Sequence, residues 1–361
     1  MKLPDFPWDA LAPYGDRAKL HPGGIIDLSV GTPVDPTPEF IQKALRENSN
    51  APGYPLTAGT PQLREAIKKW SIETLGATGD FDVLPVIGSK EFVAWLPTLL
   101  EVNSVIFPEV AYPTYSVGAI LAGATGFPVE ISPSAWPTAQ LAWINSPSNP
   151  TGRVHSESEM AEVIAWSRKS NSVLVSDECY FEFGHGVKPH SIMEFTGGDN
   201  TNILAVHSLS KRSSMAGYRA AFVIGDSKLI ARIREIRKHA GMIVSLPVQE
   251  AMVSALSDGE HVAKHRERYN LRREKLKPAL ERVGFTIQES KAGLYIWCTR
   301  NESDWASVEW LANLGILATP GNFYGEKGAR NIRLALTATD KAIDEAVIRL
   351  TNAPAHGSKN D

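Results

Sequence analysis

The feature that most constrains this chain is an alternation that begins near residue 83. Short apolar runs occupy Val83–Ile87, Ser104–Phe107, Phe127–Ile131, Leu141–Ile144, Ser172–Ser176, Asn202–Val206 and Ala220–Ile224. Most are separated by helical patterns or long connections, such as Ser156–Ser170. A strand reaches a parallel neighbour only through a crossover of a dozen or more residues, usually a helix. The pattern therefore predicts an α/β fold: a mainly parallel, seven-stranded sheet sandwiched by helices. In such a sheet, ligand-binding groups gather where strands end and loops begin.

The flanks read differently. Residues 1–30 are Pro-rich and end in a strand-like run, Ile25–Val30, followed by the turn-dense Gly31–Pro38. A helix is expected over 38–48, with Pro38 and Glu39 in its first turn. Another should run to about Leu75, with Thr60 as N-cap and Pro61 at the first helical position. Beyond Gly225 the chain turns helical and charged through Arg268–Ala279. It closes with strands near Phe285–Glu289 and Gly293–Thr299, a helix near 303–314, a strand at Ile332–Leu336 and a helix at Lys341–Leu350. This describes a smaller α+β C-terminal domain. The expected division is an N-terminal arm and part of the small domain over 1–40, a large domain over 41–250, the small domain over 251–353, and a polar tail over 354–361.

Composition narrows the function. Apolar residues make up 43% of the 361 and charged residues 21%, the balance of a globular protein. The net charge of −3 gives no basic footprint for nucleic acid. No signal-peptide pattern opens the chain, and no apolar run is long enough to span a bilayer. The two cysteines, Cys179 and Cys298, support neither a disulfide framework nor a metal cluster. A cytoplasmic enzyme acting on small molecules fits these features.

The strand ends carry the chemistry. Ile203–Val206 leads into His207-Ser-Leu-Ser-Lys-Arg-Ser-Ser-Met-Ala-Gly-Tyr-Arg219. Lys211 stands there among the hydroxyls of Ser208 and Ser210 and the guanidinium of Arg219. Hydroxyls and Arg hold phosphate oxygens. Lysine forms imines with carbonyl compounds, including pyridoxal phosphate. Alone, the segment also reads as a solvated loop. After Val83–Ile87, the turn Gly88-Ser89-Lys90 opens a helix, which makes it a phosphate site or a plain cap. Tyr112 follows the 104–107 strand and either stacks on a flat ring or packs in its loop. Asn149 follows the 141–144 strand ahead of a proline and either faces a ligand or caps a turn. Asp177 and Glu178 directly follow a buried strand, where carboxylates are costly unless paired. Asp177 facing a pyridinium N–H would be such a pairing, with Tyr180 donating to the ring oxygen; a helix cap or a metal ligand is the alternative. Arg333, amid apolar residues, clamps an α-carboxylate or forms a structural ion pair.

In one chain and in this order, these residues resemble the fold-type I pyridoxal phosphate-dependent aminotransferases of class I/II, over about residues 20–350. The motifs are Gly31-Thr-Pro, Tyr54…Gly59…Leu63-Arg64, Gly88-Ser-Lys, Asn149-Pro-Thr-Gly152, Asp177-Glu-Cys-Tyr180, Ser208-Leu-Ser-Lys211…Gly217-Tyr-Arg219, and Arg333. The resemblance implies that Lys211 carries the cofactor as a Schiff base and shuttles the proton. It implies that Asp177 binds the ring nitrogen and that Asn149 and Tyr180 hold the ring oxygen. Ser89, Lys90, Ser208, Ser210 and Arg219 would line the phosphate, and Tyr112 would stack on the ring. Arg333, Asn149 and the Gly31 backbone would take the substrate. Tyr54 would reach the phosphate of a neighbouring subunit, so a homodimer with shared active sites is implied.

Leu3-Pro-Asp-Phe-Pro-Trp8, Asp27–Asp35, Pro85–Glu91, Ala205–Lys211 and Lys238-His-Ala-Gly-Met242 look most like the succinyldiaminopimelate aminotransferases of actinobacterial type. That likeness implies amino transfer between glutamate and N-succinyl-2-amino-6-oxopimelate, with 2-oxoglutarate as the other keto acid. Aspartate-type members use an arginine from the partner subunit for the far carboxylate. Here a non-arginine position near Ala240 departs from that pattern, leaving Lys238, His239 or Lys90 as candidates for a longer substrate. A carbon–sulfur β-lyase of the same fold and a cofactor-binding regulatory domain are the rival readings.

Overall fold

A computed structural model describes residues 3–353; the expected tail over 354–361 lies outside the described residues. Thirteen strands follow one another among the described residues. They are β1 (Ile26–Asp27), β2 (Asp82–Ile87), β3 (Ser104–Pro108), β4 (Thr125–Val129), β5 (Leu141–Asn145), β6 (Val173–Asp177), β7 (Ile203–Ser208), β8 (Ala220–Gly225), β9 (Thr286–Gln288), β10 (Tyr295–Thr299), β11 (Ile316–Leu317), β12 (Thr319–Pro320) and β13 (Ile332–Ala335). All seven runs that opened the sequence argument enter one sheet, in the order β2-β8-β7-β6-β5-β3-β4.

Only β8 runs against its neighbours, pairing antiparallel with both β2 and β7. The pairs β3–β4, β3–β5, β5–β6 and β6–β7 are parallel. Because β8 reverses twice, β2 points the same way as β7, β6, β5 and β3. Their C-terminal ends therefore open on one edge. The start of β8, with Arg219 just before it, lies on that same edge, since Ile87 pairs with Ala220 and Ser208 with Ala221. One topological detail thus brings six strand ends to one place.

The strands are apolar on both faces. Val83, Ile144, Leu174, Ala205 and Phe222 pack into one buried cluster, while Leu84, Val86, Trp143, Val175, Val206 and Val223 pack into another. This alternation within each strand places helices on both faces, as continuous apolar runs require. Each such buried side chain stabilises the fold by roughly 1.5–3 kcal/mol.

A third cluster surrounds a four-stranded antiparallel sheet ordered β12-β13-β10-β9. β1 pairs in parallel with β11, so residues near 26 join the chain near 316. The expected strand Ile25–Val30 contracts to these two residues, but its continuation stays pinned. Leu28 N donates to Leu317 O at 2.8 Å, and Ala335 N donates to Leu28 O at 2.7 Å.

One local expectation, that for Pro38, needs correction. The Pro-rich arm carries a short 3-10 turn at Pro7–Leu11 and a helix at Ala12–Lys19, where Pro13 sits within the first helical positions that tolerate it. Pro38 is not in the first turn of its helix; it is the extended N-cap of Glu39–Glu47. Thr60 does cap Pro61–Leu75, its hydroxyl accepting from Leu63 N at 3.2 Å. No helix among the described residues is long and apolar enough to cross a membrane.

Candidate active site

The site lies at the shared strand edge and against the smaller sheet. Lys211 sits in a one-turn helix, Leu209–Arg212, directly after β7. Its Nζ donates to Gly31 O. Burial lowers the pKa of this amine; nearby Arg333 and Arg219 push the same way, and the Tyr295 phenol opposes them.

Asp177 ends β6 and is buried. Its Oδ2 accepts from Tyr115 Oη at 2.7 Å, and its Oδ1 accepts from Cys179 N at 3.2 Å. Burial raises its pKa, and the Tyr115 and Cys179 hydrogen bonds hold it down in part. Its neighbour Glu178 turns the other way. Glu178 Oε1 accepts from Ile192 N at 2.8 Å, and its Oε2 stands 3.1 Å from His207 Nε2 without hydrogen-bond geometry. The two carboxylates after β6 are thus both accounted for, one structural and one facing the site. No group of three His, Cys, Asp or Glu side chains placed to hold a metal ion occurs among the described residues.

Arg333 is buried at 3% exposure on β13, and no carboxylate forms an ion pair with it among the described residues. Its Nη1 donates to Asn149 Oδ1 at 2.9 Å and its Nη2 to Ser29 O at 2.7 Å. The guanidinium lies 4.0 Å from the Tyr295 ring centroid and 5.0 Å from that of Tyr324. A buried cation held only by neutral groups is poised to take an anion. Asn149 spends its oxygen on Arg333, which leaves its amide nitrogen, unpartnered among the described residues, as a donor.

Tyr180 Oη and Tyr295 Oη are 2.9 Å apart. Burial pushes the Tyr180 phenol well above its ordinary pKa. Gly31 is a glycine for a steric reason, since a Cβ there would overlap Tyr295 Oη. Gly88 is one for two reasons: its φ is +79°, and a Cβ would overlap the Arg219 guanidinium. Gly88 precedes the helix Ser89–Leu99, and Arg219, itself left-handed at φ 57°, folds over that N-terminus. Ser208 Oγ accepts from Ser210 N at 3.1 Å, and the Cys179 thiol reaches both Ser89 and Asp177.

Three expected site residues stand apart. The Tyr54 side chain is fully exposed, that of Lys90 lies 5.6 Å over the Phe6 ring, and the Ser210 hydroxyl makes no hydrogen bond to the cluster among the described residues. Tyr112 is at the edge, its ring 6.2 Å from that of Tyr115. Its hydroxyl is pushed up to about 12, chiefly by burial. Lys238 and His239 lie at the end of the helix Ser227–Ala240, beside Glu235. Sequence reasoning missed Tyr115, Tyr295 and Tyr324. Tyr115 stands three residues from Tyr112 and was within reach of the pattern; Tyr295 and Tyr324 look like ordinary core aromatics.

The geometry can be tested against a phosphorylated pyridine aldehyde. An amine, a buried carboxylate, two ring-oxygen donors and a guanidinium-covered helix N-terminus offer one partner for each of its groups, so the donor set fits. The comparisons agree. The family profile described as aminotransferase class I and II matches residues 23–350. The chain is 50% identical to the 4-dedimethylamino-4-oxo-anhydrotetracycline transaminase OxyQ of Streptomyces rimosus, covering 97% of this chain and 99% of that one. It is 51% identical to a probable aminotransferase of Mycobacterium tuberculosis, covering 97% and 85%. The solved structure of a probable N-succinyldiaminopimelate aminotransferase from Thermus thermophilus superposes with a TM-score of 0.87 at 27% identity, covering 96% and 99%. With the sheet edge, the lysine and the uncompensated arginine in place, the chain belongs to the class I and II aminotransferases, a pyridoxal phosphate-dependent family of fold type I.

Proposed function

We propose that this aminotransferase moves an amino group between glutamate and N-succinyl-2-amino-6-oxopimelate, reversibly forming 2-oxoglutarate and N-succinyl-LL-2,6-diaminopimelate. The observation that carries an amino acid substrate is Arg333, a buried guanidinium with no carboxylate of its own among the described residues. The finer substrate rests on the likeness of the N-terminal and strand-end motifs. The name of the Thermus thermophilus neighbour supports it, as do relatives named LL-diaminopimelate aminotransferase, such as that of Aquifex aeolicus at 33% identity over 93% of each chain.

Pyridoxal phosphate, when bound, would supply an electron sink that weakens the Cα–H bond of the substrate amine. Lys211 is the residue that carries it, and its Nζ takes the Cα proton as general base. Asp177, anionic, would hold the ring nitrogen protonated. Asn149 Nδ2 and Tyr180 Oη would donate to the ring oxygen, and Tyr112 would stack on the ring. Ser89, Ser208 and Arg219 would hold the phosphate, whereas Lys90, over the Phe6 ring, and the Ser210 hydroxyl stand apart from that cup. Arg333 and the Gly31 backbone orient the α-carboxylate so that the Cα–H bond faces Lys211. We propose that Tyr54 completes the partner's phosphate site in a cytoplasmic homodimer; its full exposure supports that role.

A second reading has its own observation. The 50% identity to the OxyQ transaminase over nearly its whole length favours a ring ketone as amino acceptor. The test is a half-reaction on the holoenzyme without any keto acid, followed by the cofactor's visible absorbance. Glutamate and N-succinyl-diaminopimelate should both convert it, and aspartate should not. Conversion by glutamate with none by the succinylated amine would pass the case to ring ketones. Pyruvate release from cystathionine would instead indicate a carbon–sulfur β-lyase.

A further inference from the structure

Tyr295 touches several parts of the site. Its ring is the face on which the Arg333 guanidinium lies, at 4.0 Å, and its hydroxyl is 2.9 Å from Tyr180 Oη. The same hydroxyl closes on Gly31, whose carbonyl accepts from Lys211 Nζ. The Tyr295 phenol is also the strongest influence holding up the Lys211 pKa against burial. The side chain is 3% exposed, and Trp297, two residues along β10, packs against Tyr324, the second ring near Arg333.

The hydroxyl pair has a direction. Tyr180 must donate its own hydrogen to serve a ring oxygen, so the hydrogen shared between the two phenols belongs to Tyr295. Tyr180 then accepts from Tyr295 and donates onward, and a phenol that accepts a hydrogen bond is a better donor. The ring has a separate effect. A guanidinium 4.0 Å over an aromatic ring centroid, with Nη1 and Nη2 fixed by Asn149 and Ser29, has few orientations left.

We propose that Tyr295 is a positioning residue with two separable parts: its hydroxyl orients and strengthens Tyr180, and its ring holds Arg333 in place for the substrate carboxylate. This rests on the aminotransferase reading of the site. Two substitutions separate the parts. Tyr295→Phe keeps the ring and removes the hydroxyl. It should lower kcat about tenfold, the effect of one lost hydrogen bond, and leave KM for the amino acid within about twofold, because the ring face that holds Arg333 is kept. It should also move the pH midpoint of the bound cofactor's absorbance change upward, because the ring oxygen's anion loses support. Tyr295→Leu removes the ring as well and should raise KM for glutamate about tenfold or more, by loss of a desolvated cation–π contact.

A Tyr295→Phe enzyme with unchanged kcat and an unchanged absorbance midpoint would overturn the hydroxyl's role. A Tyr295→Leu enzyme with unchanged KM would overturn the ring's role, and so would a rise in KM already complete in Tyr295→Phe. If Leu prevents folding, the Phe variant still tests the hydroxyl through its kcat and midpoint, and a rise in its KM would overturn the ring's role. A wild-type chain that binds no pyridoxal phosphate would overturn the parent reading and this inference with it.

Discussion

Tyr115 donates its phenolic hydrogen to Asp177 across 2.7 Å, and both side chains are out of solvent. Burial still wins, and the Asp177 pKa stays above its ordinary value of 3.8. The sign of the linkage follows. A carboxyl whose folded pKa lies above its unfolded pKa binds its proton more tightly when folded. Its cost to stability is complete above the folded pKa and disappears as pH falls through the window down to 3.8. Asp177→Asn should therefore remove activity while the cofactor-free protein melts no lower than wild type at about pH 7. Any gain in Tm should shrink as the pH is lowered toward about 4. Thermal melts of the two cofactor-free proteins across this range check it, and a lower Tm for the Asn variant at neutral pH would count against the buried-charge account.

Arg333 makes a prediction of opposite character. Its two nitrogens are fixed by Asn149 and Ser29 and its charge is unmatched among the described residues. Lysine would keep the charge but lose the fork. Arg333→Lys should lower kcat/KM by roughly 30- to several-thousand-fold, the scale of about 2–5 kcal/mol for breaking a buried charged contact. The loss should be common to every α-amino acid donor and absent for amines that carry no α-carboxylate. Steady-state kinetics with paired amines of each kind measure the difference.

Much of this was legible in the chain. Six members of the large sheet are buried and read as apolar runs, and the seventh, the largely exposed edge strand β4, was legible from its apolar residues and its place in the alternation. The residues just past those runs were legible as well, because polar groups at buried strand ends call for partners. What could not be read was the reversal of β8, since an apolar run does not announce its direction. The helix Ala12–Lys19 was hidden by Pro13 and Gly15, which suggest a loop unless the proline falls at a helix start. Tyr115 and Tyr295 were hidden for another reason. Their partners Asp177 and Tyr180 lie 62 and 115 residues away. No local pattern distinguishes an aromatic that fills space from one that donates a hydrogen bond across such a distance.

Gly88 allows a steric test of the phosphate cup. Its φ is +79°, and a Cβ would overlap the Arg219 guanidinium. Gly88→Ala should add about 1–3 kcal/mol of strain, displace Arg219 and weaken pyridoxal phosphate binding by roughly 5- to 150-fold. Gly217, by contrast, has open space around its Cα and no positive φ. Gly217→Ala should change binding by less than about 0.5 kcal/mol. Cofactor titration of both variants provides the comparison. Equal effects would mean that the Gly88–Arg219 contact does not shape the cup.

Lys211 makes the most direct prediction. Burial, Arg333 and Arg219 lower the pKa of its amine, so more of it is unprotonated at neutral pH than of an ordinary lysine. A base of that kind acts in its neutral form, so the rate of the amine half-reaction should rise with pH through the lowered value and then level. Lys211→Ala should reduce the rate by about 100- to 10,000-fold, the scale of losing a positioned proton-transfer group, and should erase this pH limb. Small amines added to Lys211→Ala should restore part of the rate, in proportion to their own basicity, because they can reach the space the side chain leaves beside Gly31. Lys211→Arg should not be rescued, since a guanidinium fills that space and does not give up its proton. Borohydride treatment of the holoenzyme followed by peptide mapping gives an independent check. The cofactor's mass should appear on the peptide containing Lys211 and on no other. A different labelled lysine would remove Lys211 from the centre of the site, whatever the kinetics showed.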